Sequence, residues 1–105
     1  KDTLLVPPVV NDPEMAALAR SVAREVIDEE APVNIPPTTG GEDFAYFMEK
    51  APGCVLLLGV GDEASGACYP NHNSKFTVHE PELIKGAQIY AKLAMDFTSG
   101  KKVEF

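Results

Sequence analysis

Cysteine, positive charge and long apolar runs are all scarce in this sequence. Two cysteines, Cys54 and Cys68, are too few for a disulfide framework, and their spacing matches neither a zinc finger nor a CxxC redox pair. A reducing, cytoplasmic setting is therefore expected. Lys and Arg number 9 against 16 Asp and Glu, for a formal net charge of -7. Such a chain repels phosphate backbones and has no basic stripe, which argues against a nucleic-acid partner. The longest apolar run, Cys54-Val55-Leu56-Leu57-Leu58, falls far short of the ~20 residues needed to cross a bilayer. Also missing are an HExxH signature, a His/Cys cluster, internal repeats and low-complexity tracts. The first residue is Lys1, and nothing near it has the charged start, apolar middle and small-residue cleavage site of a signal peptide. The chain reads as cut from something longer.

What is present suits one small folding unit. A length of 105 residues with 45% hydrophobic content can bury a single core, but is too short for a catalytic domain plus a substrate domain. Lys1 to Asn11 reads as an extended linker or edge strand, since Leu4-Leu5-Val6 runs into Pro7-Pro8. Asp12 is a good N-cap with Pro13 at the first helical position, and Met15, Leu18, Ala19, Val22, Ala23, Val26 and Ile27 then recur at helical spacing. This pattern predicts a helix from Pro13 to about Glu30. Val33 and Ile35 suggest a brief strand ended by Pro36-Pro37, and Thr38-Thr39-Gly40-Gly41 a tight turn. Phe44, Phe47 and Met48 predict a short helix over 42–50, stopped by Pro52-Gly53. The nearly continuous apolar run Cys54 to Val60 suggests a strand buried on both faces, as in a parallel sheet.

An irregular loop over 61–73 and a short extended piece, Phe76-Thr77-Val78, lead to a second long helix. It opens near Glu80-Pro81 and reaches about Phe97, with Leu83, Ala87, Tyr90, Ala91, Ala94 and Phe97 as its buried stripe, widened by Ile84, Leu93 and Met95. Gly86 within it predicts a close backbone approach. The order helix, strand, helix, strand, helix argues an α/β layer arrangement with mostly parallel strands.

Three segments carry candidate chemistry. Gly59-Val60-Gly61-Asp62-Glu63-Ala64 has the spacing of a dinucleotide-binding turn, but Asp62 and Glu63 would repel a pyrophosphate, and residues 65–70 cannot form the helix that motif requires. A strand-end turn is the better reading. Gly40-Gly41-Glu42-Asp43-Phe44 puts two carboxylates at a helix start; they can cap that helix or hold a loop beside a ligand. His72 lies in a polar loop, where an imidazole can be presented to a ligand or stand in solvent, and His79 precedes a helix, where a cap or surface role fits. Two histidines do not make a zinc site, which needs three protein ligands for catalysis or four for structure.

Taken together, four motifs resemble the end of the metallopeptidase family that includes aminoacylases, carboxypeptidases, hippurate hydrolases, N-acetyl-diaminopimelate deacetylases and the hydrolases of indoleacetyl-amino acids. They are Pro8-Val9-Val10-Asn11-Asp12-Pro13 entering a helix, Gly40-Gly41-Glu42-Asp43-Phe44-Ala45-Tyr46-Phe47, Pro52-Gly53 followed by Leu57-Leu58-Gly59-Val60-Gly61, and His72-Asn73-Ser74-Lys75-Phe76 before the closing helix. The resemblance runs from about Val6 to Phe97. It implies a catalytic α/β domain split by an inserted lid that often mediates dimerisation. Residues 1–8 would leave the lid, 9–100 would form the second half of the catalytic domain, and 101–105 would be a tail.

It further implies a two-metal site, with zinc the default and manganese, cobalt or nickel alternatives. Most of its ligands and its general-base glutamate would lie in the preceding half, so no catalytic residue is assigned here. Of the ligands only the last, a loop histidine in an H-x-x-x-F setting, has a counterpart, His72; the family commonly has proline where Ser74 stands. His79 and Glu80 replace an acidic residue often found before the last helix, and His79 is read as non-ligating. Gly41, Glu42 and Asp43 would line the cleft. The activity implied is amide hydrolysis of an N-acyl amino acid or similar small conjugate by the whole enzyme, this piece being inactive alone. A non-enzymatic α/β interaction module and a nucleotide-binding domain are the rival readings.

Overall fold

A computed structural model describes residues 6–102. The reading of Lys1 to Leu5 as a linker leaving a lid, and that of residues 103–105 as tail, lie outside the described residues. Helix α1 spans Pro13–Val26 and starts as its sequence dictates: the Asp12 carboxylate accepts the Met15 amide at 2.9 Å, and Pro13 occupies the first turn. It stops short of Glu30. Asp28 accounts for this, because its side chain accepts the amides of Glu30 (2.9 Å) and Ala31 (3.0 Å), offering the backbone a turn in place of another helical turn.

Helix α2 is a single turn, Ala45–Met48. The bonds leading into it, Ala45 to the Glu42 carbonyl, Tyr46 to Asp43 and Phe47 to Phe44, all span three residues and form a tight 3-10 lead-in to that turn. Gly53 sits against α2: a Cβ there would stand 3.0 Å from Met48 Cγ and 3.5 Å from Phe44 Cε1. A 3-10 turn, Glu80–Glu82, precedes α3, Leu83–Thr98. Gly100 closes α3 in the left-handed region (φ 75°), with the Gly100 amide on the Phe97 carbonyl and the Lys101 amide on that of Asp96.

The expected α/β layering is corrected by the structure, since no segment among the described residues forms a strand or sheet. A parallel strand needs a second backbone alongside it. Cys54 to Val60 has instead one side-chain amide and one isolated bond: the Val55 amide donates to Asn11 Oδ1 (2.9 Å), Asn11 Nδ2 donates to the Val55 carbonyl (3.3 Å), and the Val60 carbonyl accepts the His79 amide (2.8 Å). Leu57 is 76% exposed, so the run is not buried on both faces. Val33 and Ile35 are likewise exposed, and 76–78 is irregular. Among the described residues a single bridge, Asp62 with Ala67, closes a turn with Gly66 at φ 80°.

The core is small. Leu18, Ala19, Val22 and Ala23 of α1 are buried together with Ala45 and Ala67, and Val22 is fully enclosed. Helix α3 packs on α1, but not through its expected stripe: Leu83, Ala87, Tyr90, Ala91, Ala94 and Phe97 are all exposed, and the half-buried positions are Lys85, Gly86, Ile89, Lys92, Leu93 and Asp96. Part of the α1–α3 seam is ionic. Lys92 (2.8 Å) and Lys101 (3.0 Å) both reach Glu25, and both also pair with Asp96. The expected close approach at Gly86 is present, a Cβ there meeting Leu58 Cδ2 at 3.2 Å. Between α1, α3 and segments 31–35 and 53–59 lies an open apolar groove of about 790 Å³.

Candidate functional site

His72 sits in a loop shaped by the two asparagines that flank it. Asn71 Oδ1 accepts the His72 amide (3.0 Å), while the Asn73 side chain accepts the Lys75 amide (2.8 Å) and its carbonyl that of Phe76 (2.9 Å). These local bonds hold His72 at φ 68°, a left-handed conformation that costs a non-glycine residue ~1–3 kcal/mol. Lys75 Nζ lies 5.4 Å from the centre of the Tyr69 ring and steadies the loop's base. The His72 imidazole is exposed and has no hydrogen bond or ion pair among the described residues. It is free to take a ligand.

Gly41, Glu42 and Asp43 are exposed as well. Glu42 Oε1 accepts the Phe44 amide (3.1 Å), and the Glu42 and Asp43 carbonyls accept the first amides of α2, so the acidic pair does local turn-forming work. A Cβ at Gly41 would meet Val6 Cγ2 at an ordinary 3.6 Å. Among the described residues, no group of three or more His, Cys, Asp or Glu is arranged to hold a metal ion. The chain thus presents its candidates singly and does not assemble them.

His79 has partners of its own. Its Nδ1 is 3.5 Å from Glu82 Oε1, and Glu82 also pairs with Lys85, whose hydrogen bond holds the Glu82 carboxyl below the usual range. In the turn after Gly61, Asp62 Oδ2 accepts the Ser65 amide (2.8 Å), and bonds with Ser65 keep its carboxyl low; no helix follows, as a dinucleotide site would require. Sequence reasoning passed over Asn11, whose side chain bonds both backbone groups of Val55 while the Asp12 amide donates to the Gly53 carbonyl (2.9 Å). The co-occurrence of Asn11-Asp12-Pro13 and Pro52-Gly53 was the signal available.

The sequence profile of peptidase family M20/M25/M40 matches residues 3–96. The chain belongs to that family. It is 39% identical over 93 residues to thermostable carboxypeptidase 1 of Saccharolobus solfataricus, covering 89% of this chain and 23% of that protein. It is 35% identical over 96 residues to IAA-amino acid hydrolase ILR1-like 2 of Arabidopsis thaliana, covering 91% and 22%. To the putative amidohydrolase YhaA of Bacillus subtilis it is 29% identical over 91 residues, covering 87% and 23%. The chain spans nearly a quarter of the length of these relatives. No solved structure matches it. Among the described residues no helix is long and apolar enough to cross a membrane.

The family is generally metal-dependent, and the donor set here can be weighed against that. An exposed, unpaired imidazole fits as one ligand. A catalytic zinc takes three protein ligands, so the remaining donors have to come from elsewhere.

Proposed function

We propose that this chain is the C-terminal part of a metal-dependent amidohydrolase that cleaves the amide bond of N-acyl amino acids or related small conjugates, and that it is inactive by itself. The observation that carries the reading is the His72 loop: a locally braced, exposed imidazole with no partner among the described residues, in a chain whose relatives are named carboxypeptidase, amidohydrolase and IAA-amino acid hydrolase. Two divalent ions, zinc by default, would activate water and polarise the amide carbonyl. His72 would hold one of them through a neutral ring nitrogen, and the Asn71 and Asn73 bonds brace the backbone that carries its side chain. Gly41, Glu42 and Asp43 would shape the wall of the cleft. A small polar substrate and a pair of free thiols agree with a cytoplasmic setting.

The test is a single polypeptide in which this chain replaces the matching 93 residues of the carboxypeptidase. His72→Ala in that graft lowers bound metal and cuts hydrolysis of an N-acyl amino acid by more than about 100-fold, because ligand number sets both. His79→Ala changes little. Equal losses in both, or full activity without His72, would place the site elsewhere.

A further inference from the structure

Residues 64–78 contain neither Asp nor Glu, although the chain holds 16 of them, and no longer acid-free stretch occurs in the sequence. The stretch that carries His72 is therefore the part of this acidic chain where an anion meets least repulsion. Its one Lys or Arg is Lys75. Two consecutive turns place that cation beside His72: the Asn73 amide donates to the Pro70 carbonyl (3.2 Å), and the Phe76 amide donates to the Asn73 carbonyl (2.9 Å). The turns share Asn73, and His72 and Lys75 are their third residues, so one braced backbone carries both side chains. Three peptide links keep the two Cα atoms no more than about 11 Å apart.

The ammonium of Lys75 is exposed and carries no counter-charge. Lys85, Lys92 and Lys101 each hold a carboxylate, whereas among the described residues Lys75 is in no ion pair. Its Nζ stands 5.4 Å from the centre of the Tyr69 ring instead, a contact that narrows where the ammonium goes and leaves its charge and its N–H donors available.

We propose that Lys75 is a specificity-determining residue that receives the free α-carboxylate of the substrate, and so selects N-acyl amino acids over their amides and esters. This rests on the functional reading above and adds a residue to it. In an N-acyl amino acid only the amide nitrogen and Cα separate the carboxylate from the scissile carbonyl, so a loop that serves one group lies next to the other. Lysine suits the task as a compact charge on a flexible stem, able to follow the carboxylate as the amino acid varies without the fixed fork of Arg. The bond formed, ammonium to carboxylate, is of the strong charge-assisted kind. An amide or ester offers nearly the same shape without the charge.

The test uses the carboxypeptidase graft and compares N-benzoylglycine with N-benzoylglycine amide. The graft prefers the free acid in kcat/KM. Lys75→Gln lowers that preference at least about 10-fold, through KM rather than kcat, the size expected for losing a hydrogen bond between charged groups. Lys75→Arg retains most of the preference, and Lys50→Gln, at an exposed lysine outside the loop, retains all of it. A merely structural Lys75 would cost both substrates alike and leave the ratio where it was. A second readout needs no turnover. The ligand 3-benzoylpropanoate, in which CH2 replaces the scissile N–H, slows acetylation of Lys75 by an amine-reactive ester at least about fivefold at saturation, read residue by residue by mass spectrometry. Its carboxamide does not, and Lys50 is slowed by neither. Hydrolysis that depends on His72 but shows no preference for the acid, or keeps that preference in Lys75→Gln, would overturn the inference and leave the amidohydrolase reading standing. So would an acetylation rate of Lys75 that the propanoate leaves unchanged. Protection of Lys75 by the propanoate in a graft that hydrolyses nothing does the reverse, keeping the carboxylate site and removing the amidohydrolase reading.

Discussion

Replacing Gly86 with Ala sets two effects of similar size against each other, and the state of the groove decides which prevails. Gly86 lies inside α3, where Ala is favoured by ~1 kcal/mol because it loses less backbone freedom on ordering. The added Cβ would meet Leu58 Cδ2 at 3.2 Å, so Leu58 has to retreat by about 0.5 Å to reach an ordinary carbon contact. In the isolated chain Leu58 borders the open groove and can turn into it, at a cost below the ~0.5–1.5 kcal/mol of an off-rotamer side chain. Gly86→Ala is therefore expected to be neutral to mildly stabilising, by up to about 0.5 kcal/mol, with helix content at 222 nm unchanged or raised. In the graft, with the groove filled, Leu58 has nowhere to go and overpacking costs ~1–3 kcal/mol. The sign reverses. Thermal unfolding followed by circular dichroism on both proteins tests it. Loss of helix in the isolated variant, or an equal gain in both settings, would refute the reasoning.

Three further outcomes are expected. Asp12→Ala removes the acceptor of the Met15 amide and weakens α1 by ~1 kcal/mol, whereas Asp12→Asn, which keeps an acceptor, leaves far-UV circular dichroism nearly unchanged. The carboxyls of Glu25 and Asp96 are depressed by Lys92 and Lys101, so their contribution is fully present above the ordinary carboxylate range and is lost as pH falls through it. The midpoint of thermal unfolding should drop from pH 6 toward pH 3, and less so at 0.5 M NaCl, where screening has already weakened the pairs. The 105-residue chain alone, supplied with zinc, manganese or cobalt, hydrolyses no N-acetyl or N-benzoyl amino acid; turnover that persists through repurification would defeat the single-ligand reading of His72.

What could be read from the sequence was what is encoded within a few residues. Asp12, Pro13 and the spacing of Leu18, Ala19, Val22 and Ala23 specify the start and inner face of α1, and the structure has both. The end of α1 was misplaced because apolar periodicity continues to Ile27, while the stop is a side-chain carboxylate, Asp28, competing for the backbone. The fold of the His72 loop is equally local, set by Asn71 and Asn73, but polar spacing gives no hint of a left-handed backbone at a histidine. The family motifs located the candidate residues, and showed neither Glu42 capping its own turn nor the engagement of Asn11 with Val55.

The larger errors share one cause. The run from Cys54 to Val60 and the stripe Leu83, Tyr90, Phe97 were read as buried because they are apolar; the run alternates between half-buried and exposed residues, and the stripe is exposed. Hydrophobic pattern states that a surface requires cover; it does not say whether the same 105 residues provide it. Here α1 contacts α3 through Lys92 and Glu25 at one end and Gly86 packs on Leu58, while Leu57, Tyr90 and Phe97 are left exposed along the groove and Leu83, Ile84 and Met95 are exposed outside it. A parallel strand at 54–60 failed for the same reason, since among the described residues its backbone bonds to other segments only through the side-chain amide of Asn11 and the backbone amide of His79.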